Sequence, residues 1–297
     1  MPLDKDLVEQ LRRVLDAAEL VLPEPASRID WGSCKAANWC QHTFNGYFEP
    51  LSADDDIRLD ELLGIDKQKQ LVEENTQQFL AGFPANNMLL WGSRGTGKSS
   101  LIRAVLNSYA DRGLRVIQVD KDDLCCLPDI FSKIKRQPYH FLIFCDDLSF
   151  EPGDRGYKVL KSALDGSVYA APKNTLIYVT SNRRYLIPEY ATDNLGGKLV
   201  NNEVHHGEGV EQKLTLSARF GLWVAFHAFS QEQYLEVVRK NIDILCRNYS
   251  IDLQWDEKTQ SSAISWSHEK SKRCGRTALQ FSRWIVGRHM LLNSKNN

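Results

Sequence analysis

The sequence predicts an α/β protein in which a three-layer αβα domain, built on a parallel five-stranded sheet, is followed by a smaller all-α subdomain. Between residues 87 and 226, five short apolar runs alternate with segments of helical periodicity, the order that a parallel sheet covered by helices requires. After residue 230 the strand-like runs stop and helical patterns continue. A chain of 297 residues with 42% hydrophobic residues can bury one large core and a smaller second one.

The elements follow in chain order from the same patterns. Residues 4–22 carry apolar side chains at helical spacing and end before two prolines, which predicts a leading helix. Residues 31–50 are rich in aromatic side chains without a clear period, and we expect them to pack on the domain that follows. The predicted strands are 87–91, 115–119, 141–144, 175–180 and 222–226, with a helix over 100–109.

Three helices are predicted for the C-terminal subdomain. Ser230 and Gln233 form a capping-box pattern that begins a helix reaching about Tyr249, and helical patterns also cover 256–271 and 276–292. The predicted organisation is a helical and aromatic segment over 1–50, the αβα domain over 51–229 and the helical subdomain over 230–297.

Composition and cysteine usage favour a cytoplasmic protein. No apolar run approaches the roughly eighteen residues of a membrane span, and residues 1–6 lack the plan of a signal peptide, so we expect no membrane partner. The cysteine count of seven is odd, which favours reduced thiols over a disulfide framework. Cys34, Cys40 and His42 lie close together, but without a second ligand pair at zinc spacing, buried thiols are favoured over a metal site.

Residues 92–99 carry the strongest chemical signal, because they fit G-x-x-x-x-G-K-[ST] at every fixed position, between a predicted strand and a predicted helix. The glycines let backbone N–H groups turn toward phosphates, Lys98 adds a positive charge, and the hydroxyl of Ser99 suits Mg²⁺. The sequence therefore predicts a P-loop NTPase that binds a nucleoside triphosphate. The expected phosphate-binding residues are Gly92, Ser93, Arg94, Gly95, Thr96, Gly97, Lys98, Ser99 and Ser100.

A second chemical signal is the predicted strand 141–144, which leads through Cys145 into Asp146 and Asp147, as in a Walker B motif. The carboxyl end of a buried parallel strand lies beside the P-loop, where Asp146 would reach Mg²⁺ and Asp147 would orient the attacking water. The alternative is an acidic turn after a strand.

Charge is unevenly spread, although the net charge of −1 gives no global nucleic-acid footprint. Residues 268–297 carry seven Lys or Arg and one acid, whereas 51–75 carry eight acids and three bases. These are either two solvated faces, or the basic segment faces a phosphate of the nucleotide or of a nucleic acid.

Together with these motifs, three further segments resemble the AAA+ ATPases: 180–182 after the fourth predicted strand, 216–222 before the last one, and 275–277 at the final helix. The resemblance implies that ATP is the nucleotide, that Asn182 and Arg276 are the sensor 1 and sensor 2 residues, and that Arg219 is an arginine finger. Residues 219–221 are similar to the arginine-finger box of the bacterial replication initiator. Residues 63–66 resemble the segment over the adenine, which implies that Gly64 and Ile65 contact the nucleotide.

The chain is more similar still to a bacterial family of predicted AAA+ ATPases of unassigned function, in which 84–87, 95–100 and 181–184 look typical. The resemblance covers roughly residues 51–290. Two departures limit it. Asp147 stands where most AAA+ proteins have Glu, and the shorter side chain favours slow hydrolysis. Residues 120–138 hold no aromatic-glycine pore loop of the kind that protein unfoldases use.

Each residue implied by the resemblance has a structural alternative. Asn182 could cap a turn, Arg219 could anchor a loop to its own domain through a carboxylate, and Arg276 could face solvent. Arg183 and Arg184 suit a partner contact or a solvated surface equally.

Two glycine-containing segments are left without an assigned role. Residues 185–214 form a long polar connection, for which we favour a mobile loop over metal binding by His205 and His206. Residues 151–156 are either a partner contact or a simple turn.

The expected function is an AAA+ ATPase, a hydrolase that uses ATP and Mg²⁺, acts as a homo-oligomer and moves an unidentified protein or nucleic-acid partner. Two other classes stay open. One is an ATP-dependent binding switch with little turnover, and the other is a phosphotransferase, for which no acceptor pocket is identified.

Overall fold

The computed structural model describes residues 9–10, 12–13, 29–41, 46–51, 57–151, 154–165, 170–186, 198–200, 203–205 and 216–295. Most of the predicted leading helix over 4–22, most of the connection over 185–214, and His42 and His206 lie outside the described residues.

A seven-stranded mixed sheet forms the centre of the molecule, and each of the five predicted strands belongs to it. Its strands are β1 (Ala36–Gln41), β2 (Gly46–Pro50), β3 (Met88–Gly92), β4 (Leu114–Gln118), β5 (His140–Cys145), β6 (Thr175–Ser181) and β9 (Leu222–Phe226). Their order is β2-β1-β4-β5-β6-β3-β9, and only β2 runs antiparallel to its neighbour. A separate antiparallel pair, β7 (Lys198–Val200) and β8 (Glu203–His205), lies within the 185–214 connection.

The prediction of five strands was wrong, because β1 and β2 extend the sheet beyond β4. Both precede residue 51, the predicted start of the αβα domain. Their packing depends on one glycine, because a Cβ on Gly46 would lie 1.9 Å from the ring of Trp39. Trp39 and Phe48 are buried and meet edge to face, with centroids 5.1 Å apart.

Helices cover both faces of the sheet, which confirms the three-layer architecture. They are α1 (Asp66–Leu80), α2 (Lys98–Tyr109), α3 (Leu127–Ile134) and α4 (Arg155–Leu164). Alternate residues of β3 enter opposite cores, since Leu90 packs with α1 and α2 whereas Leu89 packs with α3 and α4.

Three further helices form the C-terminal subdomain: α5 (Gln231–Tyr249), α6 (Glu257–Glu269) and α7 (Gly275–Lys295). The predicted capping box is present, because Ser230 Oγ accepts from Gln233 N at 3.1 Å and Gln233 Oε1 accepts from Ser230 N at 3.0 Å. Tyr234 and Phe281 belong to the same buried cluster as Leu90, so this subdomain packs on the α1 and α2 side of the sheet.

All seven cysteines are free thiols, as the sequence predicts. Within the described residues, no group of three or more His, Cys, Asp or Glu side chains is arranged to hold a metal ion. The same part of the chain contains no helix that is both long enough and apolar enough to cross a membrane.

Candidate nucleotide-binding site

The P-loop joins β3 to α2 at the carboxyl edge of the sheet, and its glycines have conformations that other residues rarely adopt. Gly92 has φ 128°, and a Cβ there would lie 2.0 Å from the carbonyl oxygen of Phe226 on β9. Gly97 has φ 101° and directly precedes α2. The loop therefore ends at the amino terminus of a helix, whose free N–H groups and dipole favour anions.

Lys98 is buried at the centre of this loop. Its Nζ donates to Gly92 O and Ser93 O at 2.9 Å each and to Asn182 Oδ1 at 3.3 Å. Burial lowers the pKa of Lys98, whereas the charges of Asp147 and Asp146 oppose that shift. Because the three bonded oxygens are uncharged, a phosphate anion fits this ammonium group.

Ser99 and Asp146 meet across the carboxyl ends of β3 and β5. Ser99 Oγ donates to Asp146 Oδ1 at 2.6 Å, and the hydroxyl of Thr180, at the end of β6, donates to the same oxygen. One hydroxyl and one carboxylate side by side are oxygen ligands of the kind that Mg²⁺ takes. Three separate segments thus meet at the predicted metal site.

Asp147 has the left-handed backbone conformation, with φ 49°, which is uncommon for a residue with a side chain. Its N–H donates to Thr180 Oγ1 at 2.8 Å, and its carboxylate accepts from the side-chain amide of Asn182. Arg94 Nη2 lies 3.9 Å from Asp147 Oδ2. The structure therefore brings together the predicted water-orienting residue, the predicted sensor 1 residue and the P-loop.

The C-terminal subdomain contacts the P-loop at its tip. Arg276 N donates to Gly95 O at 3.1 Å, and a Cβ on Gly95 would lie 2.8 Å from Cys274 Sγ. The side chain of Arg276 is exposed and lines the same cleft as Lys98. The beginning of α7 is thus fixed against the loop by backbone contact.

A cleft of about 930 Å³ lies between the αβα domain and the C-terminal helices, a volume suited to a nucleotide. Ile65 is buried at its floor, and its Cδ1 would lie 3.4 Å from a Cβ on Gly97. Gly64 has φ 72° and faces the ring of Phe229, with 3.6 Å between a Cβ there and that ring. Ser100 also lines the cleft.

Sequence reasoning missed the wall of the cleft that α5 and α7 supply. That wall contains Val237, Asn241, Ile244, Leu245, Asn248, Leu279 and Arg283. The α5 members recur at the three- and four-residue spacing of one helix face, a signal that was present in the sequence. It resembled an ordinary core face, so nothing distinguished it as part of a site.

Arg219 does not line this cleft. Its guanidinium group forms an ion pair with Asp165, which directly follows α4 in the same chain. This is the contact that the anchoring alternative requires. An action on a neighbouring subunit remains a prediction.

The fold is that of an AAA+ P-loop protein, and the P-loop, the carboxylates after β5 and the cleft form its candidate nucleotide-binding site. The chain belongs to the family described as "Protein of unknown function (DUF815)", whose pattern matches residues 32–289. The expected resemblance to AAA+ proteins of unassigned function is thereby confirmed. No curated protein matches the chain.

Solved structures with the same fold include two proteins from named organisms. One is the RuvB Holliday junction branch migration motor of Thermotoga maritima, with a TM-score of 0.51 and 17% identity over 80% of this chain and 66% of that chain. The other is the Aeropyrum pernix Orc1 protein in complex with DNA, with a TM-score of 0.52 and 15% identity over 80% of this chain and 64% of that chain. This chain covers slightly less than two thirds of each, and identities this low show the fold alone.

Proposed function

We propose that this protein is an ATPase that binds ATP and Mg²⁺ between the αβα domain and the C-terminal helices, hydrolyses the γ-phosphate bond and moves those helices against the sheet. One contact carries this proposal. The bond of 2.6 Å between Ser99 Oγ and Asp146 Oδ1 joins the P-loop to a carboxylate 47 residues away, as an ATP·Mg²⁺ site requires.

Each residue around the P-loop has a distinct role in this proposal. Lys98 and the loop N–H groups neutralise the phosphates, Ser99 and Asp146 hold Mg²⁺, and Asp147 orients the attacking water. The bound Mg²⁺ supplies charge neutralisation on the phosphate oxygens.

Two residues connect the nucleotide to the rest of the fold. Asn182 contacts the γ-phosphate and couples it to β6, and Arg276 contacts it and couples it to α7. Because Arg276 N is bonded to Gly95 O, a shift of the P-loop is transmitted directly to the beginning of α7.

Assembly completes the proposal. Arg219 supplies its charge to the site of a neighbouring copy in a homo-oligomer, and ATP-driven motion acts on a protein or nucleic-acid partner. For this role, Arg219 must exchange its bond with Asp165 for one across the subunit interface.

The test is a measurement of ATP affinity and phosphate release with and without Mg²⁺. Asp146→Asn should remove Mg²⁺-dependent phosphate release, and Asp111→Asn, on the surface with 92% of its side chain exposed, is the matched control. Equal phosphate release by both variants would contradict the metal assignment. Phosphate release by the wild type without an added acceptor would argue against a phosphotransferase.

The second candidate function is an ATP-dependent binding switch with little turnover. It is favoured by Asp147, whose short carboxylate is already bound by Asn182 and lies near Arg94. Tight, Mg²⁺-dependent ATP binding with negligible phosphate release, even in the assembled oligomer, would favour the switch over the ATPase.

A further inference from the structure

A second cavity, of about 670 Å³, lies beside the nucleotide cleft, between the P-loop and the turn that joins α6 to α7. Three cationic side chains line it, Arg94, Lys272 and Arg273, together with the imidazole of His268. Of the lining residues that the structure describes, none is Asp or Glu. The remaining lining residues are Ser93, Ala228, Phe229, Ser267, Ser271 and Cys274.

Arg273 is held in place by a side-chain contact and a backbone contact. Arg273 Nη2 lies 3.1 Å from His268 Nε2, and because a guanidinium group only donates, the imidazole nitrogen accepts. Arg273 O accepts from Phe229 N at 3.0 Å, which fixes the turn to the end of the sheet. A cavity with oriented cations and no lining acid favours an anionic ligand.

An aromatic pair adjoins the cavity lining along the chain: Trp91 lies two residues before the lining residue Ser93, and neither Trp91 nor His227 itself lines the cavity. His227 precedes the lining residue Ala228, and its ring meets that of Trp91 edge to face, with centroids 6.3 Å apart. The guanidinium group of Arg184 lies 5.6 Å from the centroid of the same Trp91 ring. Cations next to an aromatic ring suit a single nucleic-acid strand, in which phosphates alternate with flat bases. An acidic peptide offers carboxylates but no base to stack.

We propose that this cavity and the adjoining Trp91 surface bind the phosphate backbone of single-stranded nucleic acid. Arg94 lines both this cavity and the nucleotide cleft, and its Nη2 lies 3.9 Å from Asp147 Oδ2. A strand phosphate in the cavity competes with Asp147 for Arg94 and frees the carboxylate to orient water. The coupling to turnover rests on the proposed ATPase function, whereas the binding itself does not.

The experiment measures binding of a fluorescently labelled oligodeoxythymidine by anisotropy over a range of salt concentrations. The test variant is Lys272→Ala/Arg273→Ala. The control is Lys270→Ala/Arg288→Ala, which removes equal charge from two cations placed over the rings of Trp266 and Trp284 and outside the cavity lining. ATP affinity and thermal melting of both variants show whether they are folded.

Each phosphate contact on a single strand contributes about 0.7 to the slope of log K against log salt concentration, so the loss of two contacts should reduce the magnitude of that slope by about 1.4. Binding at physiological salt should weaken roughly tenfold. The control should bind as the wild type does. The oligonucleotide should raise ATP turnover of the wild type and not of the Lys272→Ala/Arg273→Ala variant.

Three results would overturn the proposal: no oligonucleotide binding by the wild type, equal weakening in both double variants, or displacement of the oligonucleotide by polyglutamate at equal charge concentration. The last would assign the cavity to an acidic peptide. Oligonucleotide binding that depends on Lys272 and Arg273, in a protein that releases no phosphate, would refute the ATPase and leave the binding site intact.

Discussion

Replacing Arg219 with alanine separates its proposed action on a neighbouring subunit from a role in its own fold. The Arg219 and Asp165 side chains are 25% and 34% exposed, so their ion pair lies near the surface. Loss of such a pair costs on the order of 1 kcal/mol, which lowers the melting temperature by roughly 3 °C. Loss of a guanidinium group that stabilises transition-state charge costs about a thousandfold in rate, or about 4 kcal/mol.

The assay mixes two inactive proteins. Arg219→Ala should assemble, bind ATP and release phosphate poorly, and Lys98→Ala should not bind ATP but still carries Arg219. At hybrid interfaces the Lys98→Ala subunit presents its arginine to a neighbour with an intact P-loop, so phosphate release should return on mixing.

The control is Asp165→Asn, which removes the ion pair and leaves the guanidinium group. It should lose as much stability as Arg219→Ala and retain most of its turnover. If the mixture stays inactive while the subunits co-assemble, Arg219 does not act across an interface. If Asp165→Asn loses as much turnover as Arg219→Ala, the arginine serves its own domain.

Three other substitutions test separate parts of the structure. Lys98→Ala should abolish ATP binding, measured by calorimetry, with unchanged circular dichroism, because within the described part of the chain its ammonium group bonds to the loop and to Asn182; unaltered ATP affinity would contradict the P-loop assignment. Asp147→Asn should keep ATP affinity and lose phosphate release, whereas Asp147→Glu should raise turnover because its longer side chain reaches the attacking water. Loss of ATP affinity in Asp147→Asn would instead assign Asp147 as a Mg²⁺ ligand. Gly46→Val should lower the free energy of unfolding in urea by about 3 kcal/mol, because its side chain would enter the ring of Trp39, and an unchanged midpoint would contradict that packing.

The strands β3, β4, β5, β6 and β9 were predictable because each reads as a short apolar run. The prediction for β9 matches the structure at both ends, 222 to 226, and the helix that Ser230 begins ends at Tyr249 as expected. The position of Asp146 and Asp147 beside the P-loop was predictable because the carboxyl ends of parallel strands lie at one edge of the sheet. Strand β1, which lies between the edge strand β2 and β4, lacked such a signal, because Ala36, Ala37 and Asn38 have little strand preference.

The sequence by itself determined the strands β3, β4, β5, β6 and β9, the P-loop and the carboxylates after β5, because each depends on local spacing or on a local apolar run. Only the tertiary structure decided which distant side chains meet. The pairing of Arg219 with Asp165, the α5 wall of the cleft and the basic cavity beside the P-loop each join segments that are far apart along the chain. The sequence pattern around a charged or polar side chain does not identify the residue that it contacts. Such contacts are decided by how the helices pack on the sheet.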